Sequence, residues 1–547
     1  MKVVIVGGVA GGMSAATRLR RLDADAEIIV LEKSGHVSYA NCGLPYFVGG
    51  IIEEEKSLFL QTPQSLHARF RLDVRVSTEA TRIDPATKTL EVLDLASGEK
   101  SEISYDKLIL SPGANPVIPP IPGIERAITL RTVEDVEKIV AQVNEQPQNA
   151  VVIGGGFIGL EVAENLAHKG IPTTVVEALP QVLAPLDPEM ASLVADELIN
   201  HGVQVFLGNG VASISQSSVS LSSGEVLPAE LVILAIGVRP DISLAKMANL
   251  EIGDRGGIAV NDVNLTSDPN IYAVGDAAEK KDSIDGSATL VPLANLANRH
   301  GRVVADHIAG LSVRPVRTIG TAIVKVFDLT IATTGWNEKR LVAQKRGFHA
   351  VHTHPASHAG YYPGAKPMSL KLLFDSQTGE ILGAQGVGTE GVDKRIDVIA
   401  TAMRGGITAP ELADLELAYA PPFGSAKDPV NMLGYIAENR LSGLSKAAQW
   451  SEIEEYRDRG YEIVDVRTRR EFARGSIPGS TNIPIDELRE RLGEIGSHDV
   501  LVNCQVGLRG HTAALLLTEL GFNAVNLDGG YQTWSMSPAN TAVFALS

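Results

Sequence analysis

Cysteine occurs twice in this 547-residue chain: Cys42 in the run Asn41-Cys42-Gly43-Leu44-Pro45, and Cys504 in Cys504-Gln505-Val506-Gly507-Leu508-Arg509. Both stand in Gly-rich turn sequence and off any apolar face, so chemistry is the expected use of each, in place of the packing role a free cysteine often takes. With a single cysteine in the N-terminal half, a C-x-x-C or C-x-x-x-x-C dithiol is impossible there. A single thiolate at position 42 can attack a disulfide or persulfide to give a mixed species, or attack peroxide to give a sulfenic acid. Gly43-Leu44-Pro45 reads as the start of a helix, whose dipole would stabilise that thiolate. After Cys504, successive loop amides would form a nest that lowers the sulfur's pKa and holds a bound persulfide. Arg509 would fix the loop and add positive potential, while Val506 and Leu508 leave substrate choice open.

The elements that must position these thiols repeat one pattern twice. Val3 to Val6 reads as a buried strand, Gly7-Gly8-Val9-Ala10-Gly11-Gly12 as a turn, Met13 to Leu22 as a helix, and Ala26 to Leu31 as a second strand ending in Glu32. Such a turn lets backbone approach a pyrophosphate at a helix N-terminus, and the terminal acid accepts from a ribose hydroxyl. Val9 replaces the middle glycine of the fingerprint. In the second copy Ala150 to Ile153 leads into Gly154-Gly155-Gly156-Phe157-Ile158-Gly159, with Gly154, Gly156 and Gly159 in the three required places. Its second strand, Thr173 to Val176, ends in Glu177. A carboxylate there repels a 2′-phosphate and holds a free 2′-hydroxyl, which predicts NADH over NADPH.

Composition limits what else the chain can be. A length of 547 residues predicts three or four domains, and 44% hydrophobic residues supply ample core. The formal charge of −17, with 48 Lys and Arg against 65 Asp and Glu, argues against a nucleic-acid partner. Two cysteines build no disulfide framework, no apolar run reaches the ~18 residues of a membrane span, and Lys2-Val3-Val4 enters a strand without a leader pattern. A cytoplasmic protein with no membrane partner is the expectation. The 12 histidines and two cysteines show no metal-ligand spacing, so no metal site is expected.

Asn270-Ile271-Tyr272-Ala273-Val274-Gly275-Asp276-Ala277 resembles the second FAD fingerprint of flavoproteins with two dinucleotide-binding domains, the pyridine nucleotide-disulfide oxidoreductase class. Leu110-Ser111-Pro112-Gly113-Ala114 and Ala235-Ile236-Gly237-Val238-Arg239-Pro240 resemble that class's two crossover segments. The resemblance implies an α/β fold with an FAD-binding domain at 1–112 and 246–320, an NADH-binding domain inserted at 113–245, and an α+β dimerisation domain at 321–440 of a head-to-tail homodimer. Residues 441–448 read as a linker. From 449 to 547, Ile463-Val464-Asp465-Val466-Arg467, Glu471-Phe472, Gly475-Ser476-Ile477-Pro478-Gly479-Ser480 and the cysteine loop resemble a single rhodanese domain. By the flavoprotein resemblance the FAD contacts are Gly7, Gly8, Ala10, Gly11, Gly12, Glu32, Lys33, Ala80, Ser111, Pro112, Gly113, Gly275, Asp276 and Ala297. Asp276 would meet the ribityl chain, and the NADH contacts are Gly154, Gly156, Phe157, Ile158, Gly159, Glu177 and Gly237.

The first turn, the run Ser38-Tyr39-Ala40-Asn41-Cys42-Gly43-Leu44-Pro45 and the segment Tyr419-Ala420-Pro421-Pro422-Phe423-Gly424-Ser425-Ala426-Lys427 resemble the coenzyme A disulfide reductases. With the rhodanese tail, the nearest pattern is that of the coenzyme A disulfide or persulfide reductases fused to rhodanese. The resemblance implies that Cys42 is the redox nucleophile and that Tyr361 and Tyr419 donate hydrogen bonds or protons at the partner subunit's site. It further implies that Lys427, His300, Arg18, Arg21, Ser14, Ser38 and Asn41 meet coenzyme A. Arg18 and Arg21, at i and i+3 on the first helix, can face one anion. The substrates so implied are coenzyme A persulfide, polysulfide and coenzyme A disulfide, with Cys504 supplying or relaying sulfane sulfur. An NADH oxidase or peroxidase that cycles Cys42 through sulfenic acid is the alternative, although the peroxidases place a histidine in the first turn where this chain has Ala10. A non-enzymatic sulfur carrier is a third reading, against which two complete nucleotide signatures weigh.

Overall fold

The run Val-Val-Ile-Val is buried on both faces, and such a segment finds partners for its backbone only inside a sheet. In the computed structural model, which describes residues 1–540, the strand Lys2–Val6 takes that central place, pairing in parallel with Glu27–Leu31 on one side and Lys107–Leu110 on the other. Asp73–Arg75 and Ile271–Ala273 complete a five-stranded parallel sheet. Register decides the function of this arrangement. Val6 lies opposite Leu31 and Leu110, and Leu110 opposite Ala273. Gly7, Glu32, Ser111 and the segment Gly275-Asp276 therefore emerge at one carboxyl edge, where open α/β sheets bind their ligands.

The second copy repeats the design. Ala150–Ile153 pairs in parallel with Thr173–Val176 and Leu231–Leu234, and Gln204–Phe206 and Ile128–Thr129 flank them. Ile153 faces Val176 and Leu234, so Gly154, Glu177 and Ala235 share an edge. Each parallel sheet has a three-stranded antiparallel companion, Thr78–Asp84 with Thr89–Asp94 and Lys100–Ser104, and Val211–Ile214 with Ser218–Leu221 and Val226–Pro228. Ala114–Pro116 pairs antiparallel with Val238–Pro240, so the two crossover segments run side by side. The first turn comes out tighter than its sequence suggests, because the helix begins at Ala10 and not at Met13. A Cβ on Gly12 would lie 1.9 Å from the Gly7 carbonyl oxygen, and one on Gly159 2.0 Å from that of Gly154. Only glycine permits either helix to start there.

These elements form one compact unit, Met1–Ala178 with Gly202–Ile319. Leu179–His201 groups instead with Gly320 onward. The core of this second unit is a five-stranded antiparallel sheet in the order Ala322–Val326, Leu329–Gly335, Ile381–Gly388, Met368–Asp375, Phe348–Thr353. Leu370, Leu372 and Phe374 pack it against the helices Val392–Gly405 and Pro429–Leu441 through Ile396, Ile399 and Leu433. After Leu441 a short connection reaches Ala447–Ala448, the edge strand of a parallel sheet whose order continues Asn523–Leu527, Asp499–Asn503, Glu462–Asp465, Thr481–Asn482. Residues 541–547 of the assigned rhodanese segment lie outside the described residues.

The same unit buries an ionic network. Lys371 Nζ lies 2.9 Å from Asp187, 2.5 Å from Glu189 and 2.9 Å from Glu338. His352 joins it, with Nε2 3.0 Å from Glu189 and Nδ1 2.6 Å from Asp528. Burial by itself would lower the His352 pKa, but hydrogen bonds to the Asp528 and Glu189 carboxylates lift it to about 9, so the imidazole is cationic at neutral pH. His354 Nε2 meets Thr533 Oγ1 at 2.8 Å, and the two histidines together bracket the segment Asp528–Thr533.

Candidate active sites

At the first carboxyl edge, Glu32 accepts from the Gly8 amide at 2.7 Å and from the Ser34 amide at 2.9 Å. Burial outweighs these bonds and raises its pKa. Glu177 repeats the geometry on the Gly155 amide at 2.7 Å. Gly11 packs beside Val274, Ser111 and the Ala297 carbonyl, so residues from four separate segments line the turn. Pro112 offers its carbonyl to Arg131, Gly113 and Gly237 have positive φ in the crossover segments, and Lys33 pairs with Glu79 at the surface. Ala80 packs against the adjoining core. Phe157 and Ile158 open the helix Phe157–His168 directly after Gly156.

The residues fit the cofactors the motifs imply. A Cβ on Gly156 would meet no atom within 4 Å, which leaves that turn open to a pyrophosphate. Around Asp276 stand two more buried ionisable groups. Burial raises the Asp276 pKa and lowers that of Lys280 to about 8, while Lys280 Nζ donates to the Gly275 and Ala278 carbonyls at 2.6 and 2.9 Å. His300 is held to about 3 by burial and then by the neighbouring cations Lys280 and Arg299, and its Nδ1 is buried with no partner. A neutral imidazole and an orphaned ring nitrogen mark a place where a ligand's polar atoms complete the site.

Cys42 lies in a short 3₁₀ turn, Asn41–Gly43, open to solvent, and the helix that follows spans only Leu44–Val48. The expectation of a stabilised thiolate is corrected here. Although the thiol is exposed at its surface, the protein packed behind it raises its pKa through partial burial first and then through the carboxylates of Glu161 and Asp276. One turn of helix supplies too little dipole to reverse them. Glu161 is the residue the motif reading passes over. It lies two positions after Gly159, accepts from the Tyr46 hydroxyl at 3.2 Å, and burial raises its pKa to about 7. An acid in the first turns of a dinucleotide helix is the signal that was available.

A group that titrates near neutrality beside a thiol can tune it. Because the charge of Glu161 raises the Cys42 pKa, Glu161→Gln is expected to lower it and to speed alkylation of Cys42 by iodoacetamide severalfold at pH 7. An unchanged or slower rate across pH 6–9 in the FAD-loaded protein would show that the carboxylate does not act on the thiol.

The residues proposed for coenzyme A are not gathered at one point. Ser14 Oγ donates to Asn298 at 2.7 Å, and Arg18 pairs with Asp306 at 2.6 Å. The Arg21 guanidinium lies 5.3 Å from the Phe70 ring centroid. The two arginines share a helix face but are engaged separately, so a common anion has to displace Asp306 from Arg18. Ser38 takes a left-handed backbone, φ +50°, where its amide donates to the Gly8 carbonyl, and Asn41 is exposed beside Cys42. In the second unit Tyr361 and Tyr419 share a hydroxyl–hydroxyl bond of 2.8 Å. They are 75% and 46% exposed, and Phe423, four residues after Tyr419, is 71% exposed. Lys427 is exposed, and its neighbour Asp428 is buried against Arg395 at 3.0 Å, which also holds the Ser357 carbonyl.

Cys504 ends the central strand Asp499–Asn503 and belongs to the apolar core, fully buried. This corrects the expectation that it stands off any apolar face. The Gly507 amide donates to its sulfur at 3.2 Å, and the helix Leu508–Glu519 starts immediately after that glycine. A second loop closes over it. The Tyr531 amide donates to the Cys504 carbonyl at 2.7 Å, and a Cβ on Gly530 would lie 2.4 Å from that oxygen. Arg509 reaches Glu471, at 2.9 and 2.6 Å, and that pairing holds Glu471 down to about 2. It fixes the loop through this carboxylate. Arg467 was quoted in the motif without a role. It is buried, holds Asp465 at 2.9 and 2.7 Å, meets Gln505 at 3.3 Å and lies 4.0 Å from the Tyr531 ring centroid. Among the described residues, the one group of three metal-capable side chains is Glu197, His201 and Asp328, at the surface and away from both cysteines in sequence.

Comparison with known proteins identifies the family and its domains. Residues 1–301 match the pyridine nucleotide-disulphide oxidoreductase family, residues 321–429 its dimerisation domain, and residues 448–537 the rhodanese-like domain. The coenzyme A disulfide reductase of Staphylococcus aureus strain JH9 is 37% identical over 441 residues, 80% of this chain and 100% of that protein. The crystal structure of reduced Bacillus anthracis CoADR-RHD is 48% identical, with a TM-score of 0.96 over 98% of each chain. An NAD-dependent persulfide reductase from A. fulgidus is 39% identical, with a TM-score of 0.92 over 98% of this chain and 100% of that one. This chain belongs to the pyridine nucleotide-disulphide oxidoreductase family, as an NAD(P)H-dependent reductase that takes FAD and NADH and carries a dimerisation domain and a C-terminal rhodanese-like domain.

Proposed function

We propose that this enzyme uses NADH to reduce coenzyme A persulfide, polysulfide or coenzyme A disulfide through Cys42 as its single redox cysteine, with Cys504 supplying or relaying sulfane sulfur. The observation that carries this reading is the division of the chain's only two thiols: one open to solvent in the nucleotide-binding part, the other buried under a double loop in the rhodanese sheet. The relatives named for coenzyme A disulfide and for persulfide support the same substrate class.

The edge of Gly7, Glu32, Ser111 and Asp276 would hold FAD, which would supply a two-electron link between NADH and sulfur. The Cys42 thiolate attacks the inner sulfur of coenzyme A persulfide. The S–S bond breaks, hydrosulfide leaves, and a Cys42–coenzyme A disulfide forms. Two electrons and a proton then return Cys42 to the thiolate and release coenzyme A, so that NADH, one proton and the persulfide become NAD⁺, coenzyme A and hydrogen sulfide. Glu161, poised near pH 7, is a proton source within the same unit. Tyr361 and Tyr419 would provide another, presented by a second copy of the chain in a head-to-tail dimer. Their exposure and mutual hydrogen bond suit a partner's site. The thiol pKa, raised by partial burial and then by Glu161 and Asp276, favours a protonated resting cysteine that ionises as the site's charge changes.

Anaerobic NADH oxidation by the FAD-loaded protein should be fast with coenzyme A persulfide, polysulfide or coenzyme A disulfide, with sulfide released in step from the first two. Turnover confined to peroxide, or to oxygen once air is admitted, would assign the oxidase or peroxidase alternative. Cys504→Ser is expected to cut sulfide release from a sulfane donor lacking coenzyme A while sparing coenzyme A disulfide reduction. Unchanged release from every donor would remove the relay.

A further inference from the structure

In a chain of net charge −17, one cleft of about 460 Å³ in the second unit is lined by three cations and a histidine with no carboxylate among its lining residues. Arg440 comes from the last turn of the helix Pro429–Leu441, Lys446 from the connection that follows, His349 from the strand Phe348–Thr353, and Arg459 from the end of the helix Ile453–Asp458. Tyr456 and Tyr461 complete the wall.

Local structure accounts for part of this charge. A cation late in a helix is favoured by the dipole, and Arg440 Nη1 donates to the Ala447 carbonyl at 3.0 Å. Lys446 Nζ reaches Asn523 Oδ1 at 3.1 Å. The Arg459 guanidinium lies 5.0 and 5.3 Å from the ring centroids of Tyr456 and Tyr461, with the exposed Glu455 3.7 Å away. Arg440 Nε is left over. It is buried and has no hydrogen-bond partner, a costly condition for a guanidinium N–H. A carboxylate of the chain would be the usual remedy, and none lines the cleft.

We propose that this cleft is a binding site for a phosphorylated small molecule. A phosphate carries up to two negative charges and several acceptor oxygens, enough to offset the charge of the Arg440 guanidinium and to face Lys446 and Arg459 together, which a single carboxylate does not do. The volume lies in the range of small-ligand sites. Because the cleft joins the end of the helix Pro429–Leu441 to the edge of the rhodanese sheet, occupation would also tie these two elements together and stabilise them by linkage.

The test is calorimetric titration of the full-length, FAD-loaded protein with inorganic pyrophosphate and with phenyl phosphate at constant ionic strength. The tighter of the two shows whether a bare phosphate or a ring-bearing ester is preferred. Binding is expected to weaken about tenfold or more in Arg440→Gln and severalfold in Lys446→Gln and Arg459→Gln. Absence of binding by both probes overturns the proposal, as does equal affinity in all three variants, which would place the anion at the dinucleotide turns. Should Arg440→Gln fail to fold for want of its bond to Ala447, the exposed Lys446 and Arg459 variants decide the question alone.

Discussion

Cys42→Ser is expected to lower NADH-driven turnover of coenzyme A disulfide, coenzyme A persulfide and polysulfide by at least about 10³-fold, because a hydroxyl is neither ionised near neutral pH nor able to form the sulfur–sulfur intermediate. The loss should fall on kcat. Flavin should stay bound with its visible spectrum little changed, since Gly7, Glu32, Ser111 and Asp276 arrive from four other segments of the sheet edge. The residue is exposed and outside the apolar clusters, so the fold has little stake in it. If more than a tenth of the turnover survived, attack would have to occur elsewhere. Cys504 is then the only thiol available, and a Cys42→Ser/Cys504→Ser double variant would locate it.

Lys371→Met is expected to destabilise the second unit by about 3–5 kcal/mol, the usual cost of breaking a buried ion pair and leaving its partner charged. Here one ammonium, fully buried, serves Asp187, Glu189 and Glu338 together. In the native protein Lys371 and the His352 hydrogen bond hold Glu189 well below the usual carboxylate range, whereas burial keeps Glu338 above it despite Lys371. Without the lysine, the burial of Glu189 and Glu338 loses much of its compensation, and their folded-state pKa values shift upward. Such groups favour folding at low pH and oppose it as pH rises through the folded value. The calorimetric transition of the variant should therefore lie furthest below wild type near pH 8 and approach it near pH 5. An equal deficit at both pH values would mean that lost packing, and not charge, is the cause.

The parts of this protein that could be read directly are those whose meaning is local. Gly12 and Gly159 are dictated by carbonyl oxygens five residues earlier in the chain, and Glu32 and Glu177 by the amides of their own βαβ units. In each case about thirty residues contain the whole geometric requirement, and the pattern of glycines, strands and acids states it. Within the cysteine loop Cys504–Arg509, the Gly507 amide turns back on the sulfur in the same local way.

Where the reading went astray, long-range contacts were responsible. A helix dipole after Cys42 is a local effect, but the thiol's ionisation is set by burial first and then by the carboxylates of Glu161 and Asp276, more than a hundred residues away. Arg509 fixes the loop through Glu471, 38 residues earlier in the chain, a partner that the loop's own sequence does not name. Cys504 was placed off the apolar face by its glycine-rich neighbours, yet the strand before it carries it into the core. Sequence by itself determined the two nucleotide-binding turns and the rhodanese loop, because backbone sterics and short-range amide geometry act within one supersecondary unit. Tertiary structure alone decided the thiol's ionisation, the roles of Glu161 and Arg467 and the ionic network around Lys371, because burial and Coulomb interaction depend on which distant side chains the fold brings within a few ångströms.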